Sequence, residues 1–532
     1  MQRWFAPASL LLVMVGAAGC GSRCEKGFAR QDGVCLAFDV DAGARDSGVV
    51  TQADSGAAPH DAGLEVVDGG MSADTGPQMD AGVPEDAGPR PDSGMSMGGD
   101  PGRVLVRGAA VLPMVDGQVF APGEVYSEMG RIACVGPVGA CAMEADGATV
   151  VETDGVVLPG LVDAHNHVAY DFLPEWMTPR VFEDSGQWRD NADYELFVEP
   201  YSANKNDRDR FCAMVQWGEI MSLVNGTTTV FGTPQPRTCF RWLVRNAELS
   251  TGYNGFAADR MRTNTLGIDT VDTAAASALI ADMDAGDVTA YVIHLAEGLS
   301  ARARGEFLEL QTLGLLREEA VLIHATALTA ADFAEVAAVG AKVVWSPSSN
   351  MALYQDTTNV QAALQAGVTV SIAPDWTPSG ADNVLDEVRF ARELADARWP
   401  GLFSAADLVA MITRIPAEQL GLGREIGKLE VGLHADLLVV DGDGAAPYES
   451  VLAATPADVQ LVMIGGVPQY GTPALMDLIP DSPAACHDID ACGVGKRGCW
   501  EDTPDGPVSP SSITQVIEQF YPGGPEPLFD CP

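Results

Sequence analysis

Leu158-Pro159-Gly160-Leu161-Val162-Asp163-Ala164-His165-Asn166-His167 is an apolar run that closes on two histidines separated by one residue. Read as a strand, it alternates its side chains between two faces, so Asp163, His165 and His167 emerge on the same side at its C-terminal end. A single histidine on an apolar strand is usually structural. Two in register after a buried run point instead to a shared metal ion.

Downstream the same punctuation recurs. From 159 to 421, apolar β-rich runs alternate with helix-like stretches, which implies an α/β fold with a parallel sheet covered by helices. The length of this region, about 260 residues, matches one (β/α)8 TIM-like barrel. Residues 227–231, 290–293, 320–323, 342–345 and 368–372 are the clearest strands, and 330–339, 384–397 and 405–415 the clearest helices. His294, His324 and Asp375 each stand at or just past the end of such a strand. Counting βα units places His165 and His167 on the first strand, His294 on the fifth, His324 on the sixth and Asp375 on the eighth, at the face where barrel active sites form. The chain has seven histidines, and chance is a poor account of four of them at strand ends with unit spacing.

On either side, the character of the chain changes. Residues 104–107, 118–120, 123–126 and 131–135 read as short strands, and 427–440 and 461–466 are similar in kind. These flanks, 103–158 and 422–472, are expected to pair into one β-sandwich with 159–421 inserted between them. Residues 39–102 are rich in Asp, Ala, Gly, Ser and Pro, with too few bulky apolar groups to offset chain entropy, and read as a disordered acidic linker. A calcium-binding array would need a regular ligand period, which is missing.

Met1-Gln2-Arg3, the apolar run 10–15 and the small residues before Cys20 read as a lipoprotein signal peptide over 1–19, with Cys20 the lipid anchor of a Cys-containing N-terminus over 20–38. The implied address is the cell envelope, at the outer membrane. A plain secretory signal is the alternative, since Ala17 stands where Leu is commoner. Of eleven cysteines, removing Cys20 leaves an even number suited to an oxidising compartment. Cys24 and Cys35 flank one loop and Cys134 and Cys141 another, while Cys486, Cys492, Cys499 and Cys531 crowd the C-terminal tail, 473–532. Cys212 and Cys239 are either a pair or two buried thiols. A zinc ribbon in the tail fits the uneven spacings less well than disulfides. With 31 basic against 74 acidic residues, the net charge of −43 excludes a nucleic-acid partner.

Taken together, the motifs resemble the amidohydrolase superfamily, in its branch of mononuclear aminohydrolases and chlorohydrolases that includes nucleoside deaminases and triazine hydrolases. The resemblance covers about 103–471. It rests on 159–167 as quoted, His294-Leu295-Ala296-Glu297, Ser346-Pro347-Ser348-Ser349-Asn350-Met351-Ala352-Leu353 and Gly432-Leu433-His434-Ala435-Asp436-Leu437. It implies that His165, His167, His294 and Asp375 hold one divalent ion, Zn²⁺ first and Fe²⁺ as the alternative, with His324 beside the water this ion activates. It also implies Asp375 as proton acceptor and Glu297 as the shuttle to a ring nitrogen or leaving group. Read alone, Glu297 is a solvated residue after a strand. Ser349 and Asn350 are expected to support the site, Asn350 also being a candidate substrate contact. Between Lys205 and Lys342 there is no Lys, so the two-metal form of the family, bridged by a modified Lys, is not expected.

The reaction implied is hydrolysis of a C–N bond in a small heterocyclic or cyclic amidine substrate. Cleavage of a cyclic amide or acylated amino acid, and a surface binding lipoprotein without turnover, are the alternatives. The partners are then a small molecule and, through the N-terminal lipid, a membrane. Where relatives carry Gly-Thr-Asp or Gly-Ser-Asp, this chain has Ala373-Pro374-Asp375-Trp376. Trp376 either closes the pocket over a flat substrate or packs against a loop. The connection 168–211 is long and carries Tyr170, Phe172, Trp176, Trp188, Tyr194 and Phe197, suiting an active-site lid or a packed helical segment. His434 and His487 are assigned no catalytic part.

Overall fold

The computed structural model describes residues 28–31, 34–37, 102–232, 243–248, 256, 260–479, 485–500 and 508–531. The expected signal peptide, the Cys20 anchor, the linker up to residue 101 and Cys239 lie outside the described residues.

Eight parallel strands position the site: β1 (Leu161–Asp163), β2 (Thr227–Val230), β3 (Arg245–Asn246), β4 (Met261–Asn264), β5 (Ala290–Leu295), β6 (Ala320–His324), β7 (Lys342–Trp345) and β8 (Thr369–Ile372). They form two sheets, ordered β3-β2-β1 and β4-β5-β6-β7-β8. β1 and β8 are joined directly just past their C-terminal ends, and both also bond to the segment at Met411 and Ile412. At the C-terminal end Asn166 and Asp375 form a parallel bridge, the Asp375 N–H donating to His165 and the His167 N–H to Asp375, each at 3.0 Å. Within the strands, the N–H of Ile372, the last residue of β8, donates to Met411 and the Val162 N–H to Ile412, again at 3.0 Å. One face of these strands carries Val162, Val292, Val321, Ile323 and Val344 in a common cluster. The other carries Leu161, Ile293, Leu322, Val343 and Ile372, packed with the helices. Both faces are apolar because both are covered.

Met411 and Ile412 correct the expected helix over 405–415. It stops at Ala410, and a second helix, Arg414–Gln419, follows. Pro416 has no N–H to offer the carbonyl of Ile412, four residues back, and that carbonyl serves the strand β1 instead. The expected strand 118–120 is reduced to one bridge, Val111 with Phe120.

The flanks pair as antiparallel strands. Val156–Pro159 lies beside Leu437–Val440, which lies beside Val459–Ile464. These belong to a seven-stranded sheet with Ala110–Val111, Val467–Gly471, Cys486–Ala491 and Val494–Cys499. Period-two alternation sends Val157, Leu437, Val439, Leu461 and Met463 towards a four-stranded sheet that contributes Val104, Val106, Val125 and Val151. It sends Val156, Leu158, Leu438, Val440 and Val462 into the larger core shared with the helices. Residues after 473, expected only as a tail, thus supply two of those strands. They also supply the helix Pro510–Glu518, which packs on Arg208–Val224, where Trp217 Nε1 donates to the Glu526 carbonyl at 2.8 Å. Disulfides join Cys134 to Cys141, Cys486 to Cys499 and Cys492 to Cys531. Cys212 is disulfide-bonded as well. No helix among the described residues is long and apolar enough to cross a membrane.

Candidate active site

The quoted stretch does not run on as one flat strand. β1 ends at Asp163, whose carboxylate accepts the His165 N–H at 3.1 Å and the Asn166 side-chain amide at 2.9 Å. Val162 and Ala164 face the inner cluster, so unbroken alternation would carry both imidazoles away from it. The bend held by Asp163 resets the phase, and Asp163 is spent on that turn rather than sharing a face with the histidines. Gly232 makes room for it, since a Cβ there would lie 1.7 Å from the Asn166 carbonyl oxygen.

His324 is redirected in a different way. Leu322 faces the helices, so alternation would send His324 after it, but a left-handed backbone at His324 (φ 66°) turns the ring into the site. Asp375 (φ 76°) and Ala296 (φ 52°) are also left-handed. For residues other than Gly such conformations cost energy and collect at functional sites.

Three imidazoles and one carboxylate converge as a result. His165 Nε2 lies 3.0 Å from His294 Nε2, which lies 3.2 Å from His167 Nε2. Asp375 Oδ1 is 3.1 Å from His165 Nε2 and 3.4 Å from His167 Nε2. All four ligand atoms lie within 4.8 Å of one another. With bond lengths of about 2.0–2.1 Å, tetrahedral ligands of Zn²⁺ sit about 3.3–3.4 Å apart, so these separations fit the edges of a shared coordination shell. Burial pushes His294 well below the ordinary histidine range and His167 down to about 4, which leaves both neutral, as ligation requires. Burial alone would raise the Asp375 carboxyl, but the neighbouring imidazoles, His165 foremost, hold it below the usual carboxylate range.

A layer of hydrogen bonds orients these groups. His165 Nδ1 meets Ser346 Oγ at 2.8 Å, and Ser349 Oγ donates to Asp375 Oδ2 at 2.7 Å. Asn350 is fully buried and commits its Nδ2 to Thr357 and Thr358, so its Oδ1 accepts from His324 Nδ1 at 3.0 Å. That leaves His324 Nε2 facing Asp375 Oδ2 at 4.0 Å and Glu297 Oε1 at 3.9 Å. Trp376, 5% exposed, packs among Tyr170, Trp188 and Tyr194 with its ring 5.5 Å from His167. The connection 168–211 folds into a 3₁₀ turn (Val168–Tyr170) and three short α-helices before the helix Arg208–Val224 begins, and Trp176, Phe182 and Trp188 cluster with Tyr354 and Trp376. A cavity of about 180 Å³ opens beside His294 and Glu297, lined also by Ser185, Arg189, Leu266 and Glu306. Sequence reading missed Tyr354 and Arg189. Each directly follows a residue it had singled out, Leu353 at the end of a motif and Trp188 in the long connection.

The amidohydrolase family matches residues 288–468 of this chain. A 5-methylthioadenosine/S-adenosylhomocysteine deaminase from Desulforudis audaxviator is 30% identical over 407 residues, covering 68% of this chain and 92% of the relative. An adenosine deaminase structure from Xanthomonas campestris with bound zinc superposes at a TM-score of 0.54 with 21% identity, covering 70% and 93% of the two chains. A zinc-containing atrazine chlorohydrolase from Arthrobacter aurescens gives 0.54 at 19% identity, covering 68% and 94%.

Proposed function

The chain belongs to the amidohydrolase family and is a hydrolase acting on carbon–nitrogen bonds, and from that premise we propose that it deaminates a small aminated heterocycle. The observation that carries the proposal is the convergence of His165, His167, His294 and Asp375 with His324 and Glu297 at one end of the parallel strands. In this reading the eight strands close into a (β/α)8 barrel with the flanking sandwich at its side. His165, His167, His294 and Asp375 would hold the divalent ion, Zn²⁺ in this reading and Fe²⁺ as the alternative. Bound there, such an ion would lower the pKa of a water to near neutral, providing the attacking oxygen.

The chain's own groups manage the protons. Asp375 Oδ2, steadied by Ser349, accepts one, and His324, fixed by Asn350 with Nε2 inward, orients the attacking oxygen. Glu297 carries a proton to the ring nitrogen. As the C–O bond forms and the C–N bond breaks, one proton of the water ends on the ring nitrogen and the other leaves with ammonia. Trp376 and the aromatic cluster of 168–211 limit the entry of bulk water.

Zinc-loaded protein is assayed for ammonia release from 5′-methylthioadenosine, adenosine, guanine and an aminotriazine, with a cyclic dipeptide alongside. The expected result is release from at least one aminated ring, abolished by a chelator. Opening of the cyclic dipeptide alone would establish the amidase alternative, and binding without turnover would establish a receptor.

We also propose that the chain is exported and lipid-anchored through Cys20. The three disulfides between described residues support an oxidising address.

A further inference from the structure

Glu297 is held asymmetrically. Its Oε1 accepts the Tyr354 hydroxyl at 2.6 Å and Trp188 Nε1 at 3.3 Å, and Trp188 Nε1 also reaches the Tyr354 hydroxyl at 2.9 Å. Its Oε2 is buried and accepts no hydrogen bond among the described residues. Arg189 Nη2 lies 3.6 Å from it, an ion pair beyond hydrogen-bond distance. Glu297 is 3% exposed and lines the same cavity as His294. A buried carboxylate oxygen left without a donor beside a cavity is poised for a ligand rather than for the fold.

The two donors come from different places. Tyr354 ends the helix Pro347–Tyr354, whose earlier residues Ser349 and Asn350 hold Asp375 and His324. Trp188 belongs to the short helix Ser185–Arg189 in the long connection after β1. That helix is strapped to the loop following Glu297. Leu299 and Ser300 donate their N–H groups to the Glu183 carbonyl at 2.7 and 3.1 Å, and the Ser185 N–H donates to the Glu297 carbonyl at 3.2 Å. Asp184, which caps the helix, accepts from Ser300 Oγ at 2.7 Å and from Arg302 at 3.3 Å. Gly298 permits the approach, since with φ 120° a Cβ there would lie 2.4 Å from the Glu183 carbonyl oxygen.

We infer that Tyr354 and Trp188 are positioning residues for Glu297, pinning Oε1 on the side of His324 and leaving Oε2 free of hydrogen bonds to carry the proton, and that Trp188 makes this alignment depend on docking of segment 183–189. The inference rests on the reading of Glu297 as the proton carrier. It couples closure over the cavity to readiness of the proton donor, and an undocked segment leaves the carboxylate free to rotate.

The test compares zinc-loaded, full-length wild type with Tyr354→Phe and Trp188→Phe, which remove the O–H or N–H and keep an aromatic ring. In crystal structures, Glu297 Oε1 keeps its Tyr354 hydrogen bond in wild type and the carboxylate is turned in Tyr354→Phe. With 5′-methylthioadenosine, kcat falls by roughly 10–100-fold in Tyr354→Phe while KM stays within about twofold, a loss confined to the transition state. On a Glu297→Gln background, Tyr354→Phe costs nothing further, whereas a merely structural role would add its own loss. An unchanged carboxylate in Tyr354→Phe, or an additional loss on the Glu297→Gln background, overturns the inference. Absence of ammonia release by wild type from every aminated ring would instead defeat the deaminase reading, and the crystallographic comparison would still decide the positioning.

Discussion

Glu306 shows how a single buried acid beside this site sets a pH response. It accepts the Ala296 N–H at 2.8 Å, and burial pushes its carboxyl up to about 7, against that hydrogen bond and with the charge of Glu297 adding to the rise. In the unfolded chain the same group titrates at about 4.3. Between these values the unfolded chain has lost the proton and the folded chain keeps it, so folding stability falls as pH rises from about 4.3 to about 7. Glu306→Gln removes this dependence and keeps an acceptor for Ala296. The expected outcome is that the variant's melting temperature, relative to wild type, rises from pH 5 to about pH 7 and levels off by pH 8. A constant difference across that range would mean that Glu306 is ionised throughout. At the same scale, the candidate ligands were legible in the sequence because imidazole pairs and strand-end spacing are local signals. The rotations that aim them were not. His324 and Asp375 depend on left-handed backbone at non-glycine positions, which no alternation rule anticipates.

Among elements, β2, β5, β6, β7 and β8 were legible because apolar β-branched runs between turn residues need no tertiary context to be read. β3 and β4 were not. β3 is Arg245–Asn246 and β4 is Met261–Asn264, two polar segments that are strands only because of what meets them. Arg245 is 1% exposed and forms two hydrogen bonds with Asp436, at 2.7 and 3.0 Å, and a third contact with His434 Nδ1 at 3.2 Å. This gives the Gly432-Leu433-His434-Ala435-Asp436-Leu437 motif a physical role: it joins the flank to the parallel strands through a buried ion pair, and His434 belongs to that joint. The helix expected over 405–415 failed for a related reason. Its apolar spacing is helical, but the carbonyls of Met411 and Ile412 are claimed by β8 and β1.

At the scale of the molecule, the two flanks and the segment after 473 meet in one seven-stranded sheet. The pairing of the flanks was expected from their likeness. The contribution of the last sixty residues was not, because disulfide connectivity is invisible to sequence reading and Cys492 and Cys531 are 39 residues apart. The export proposal is tested on the whole chain by feeding labelled palmitate to expressing cells. Label is expected in wild type and not in Cys20→Ser, and equal labelling would remove the anchor. The central claim is the metal, and elemental analysis of the purified, folded chain tests it most directly. The account predicts about one tightly held divalent ion per chain, zinc or iron, lost in a His165→Ala/His167→Ala variant that keeps its circular dichroism spectrum. A wild type without a bound ion, or a variant that retains its ion, would contradict it.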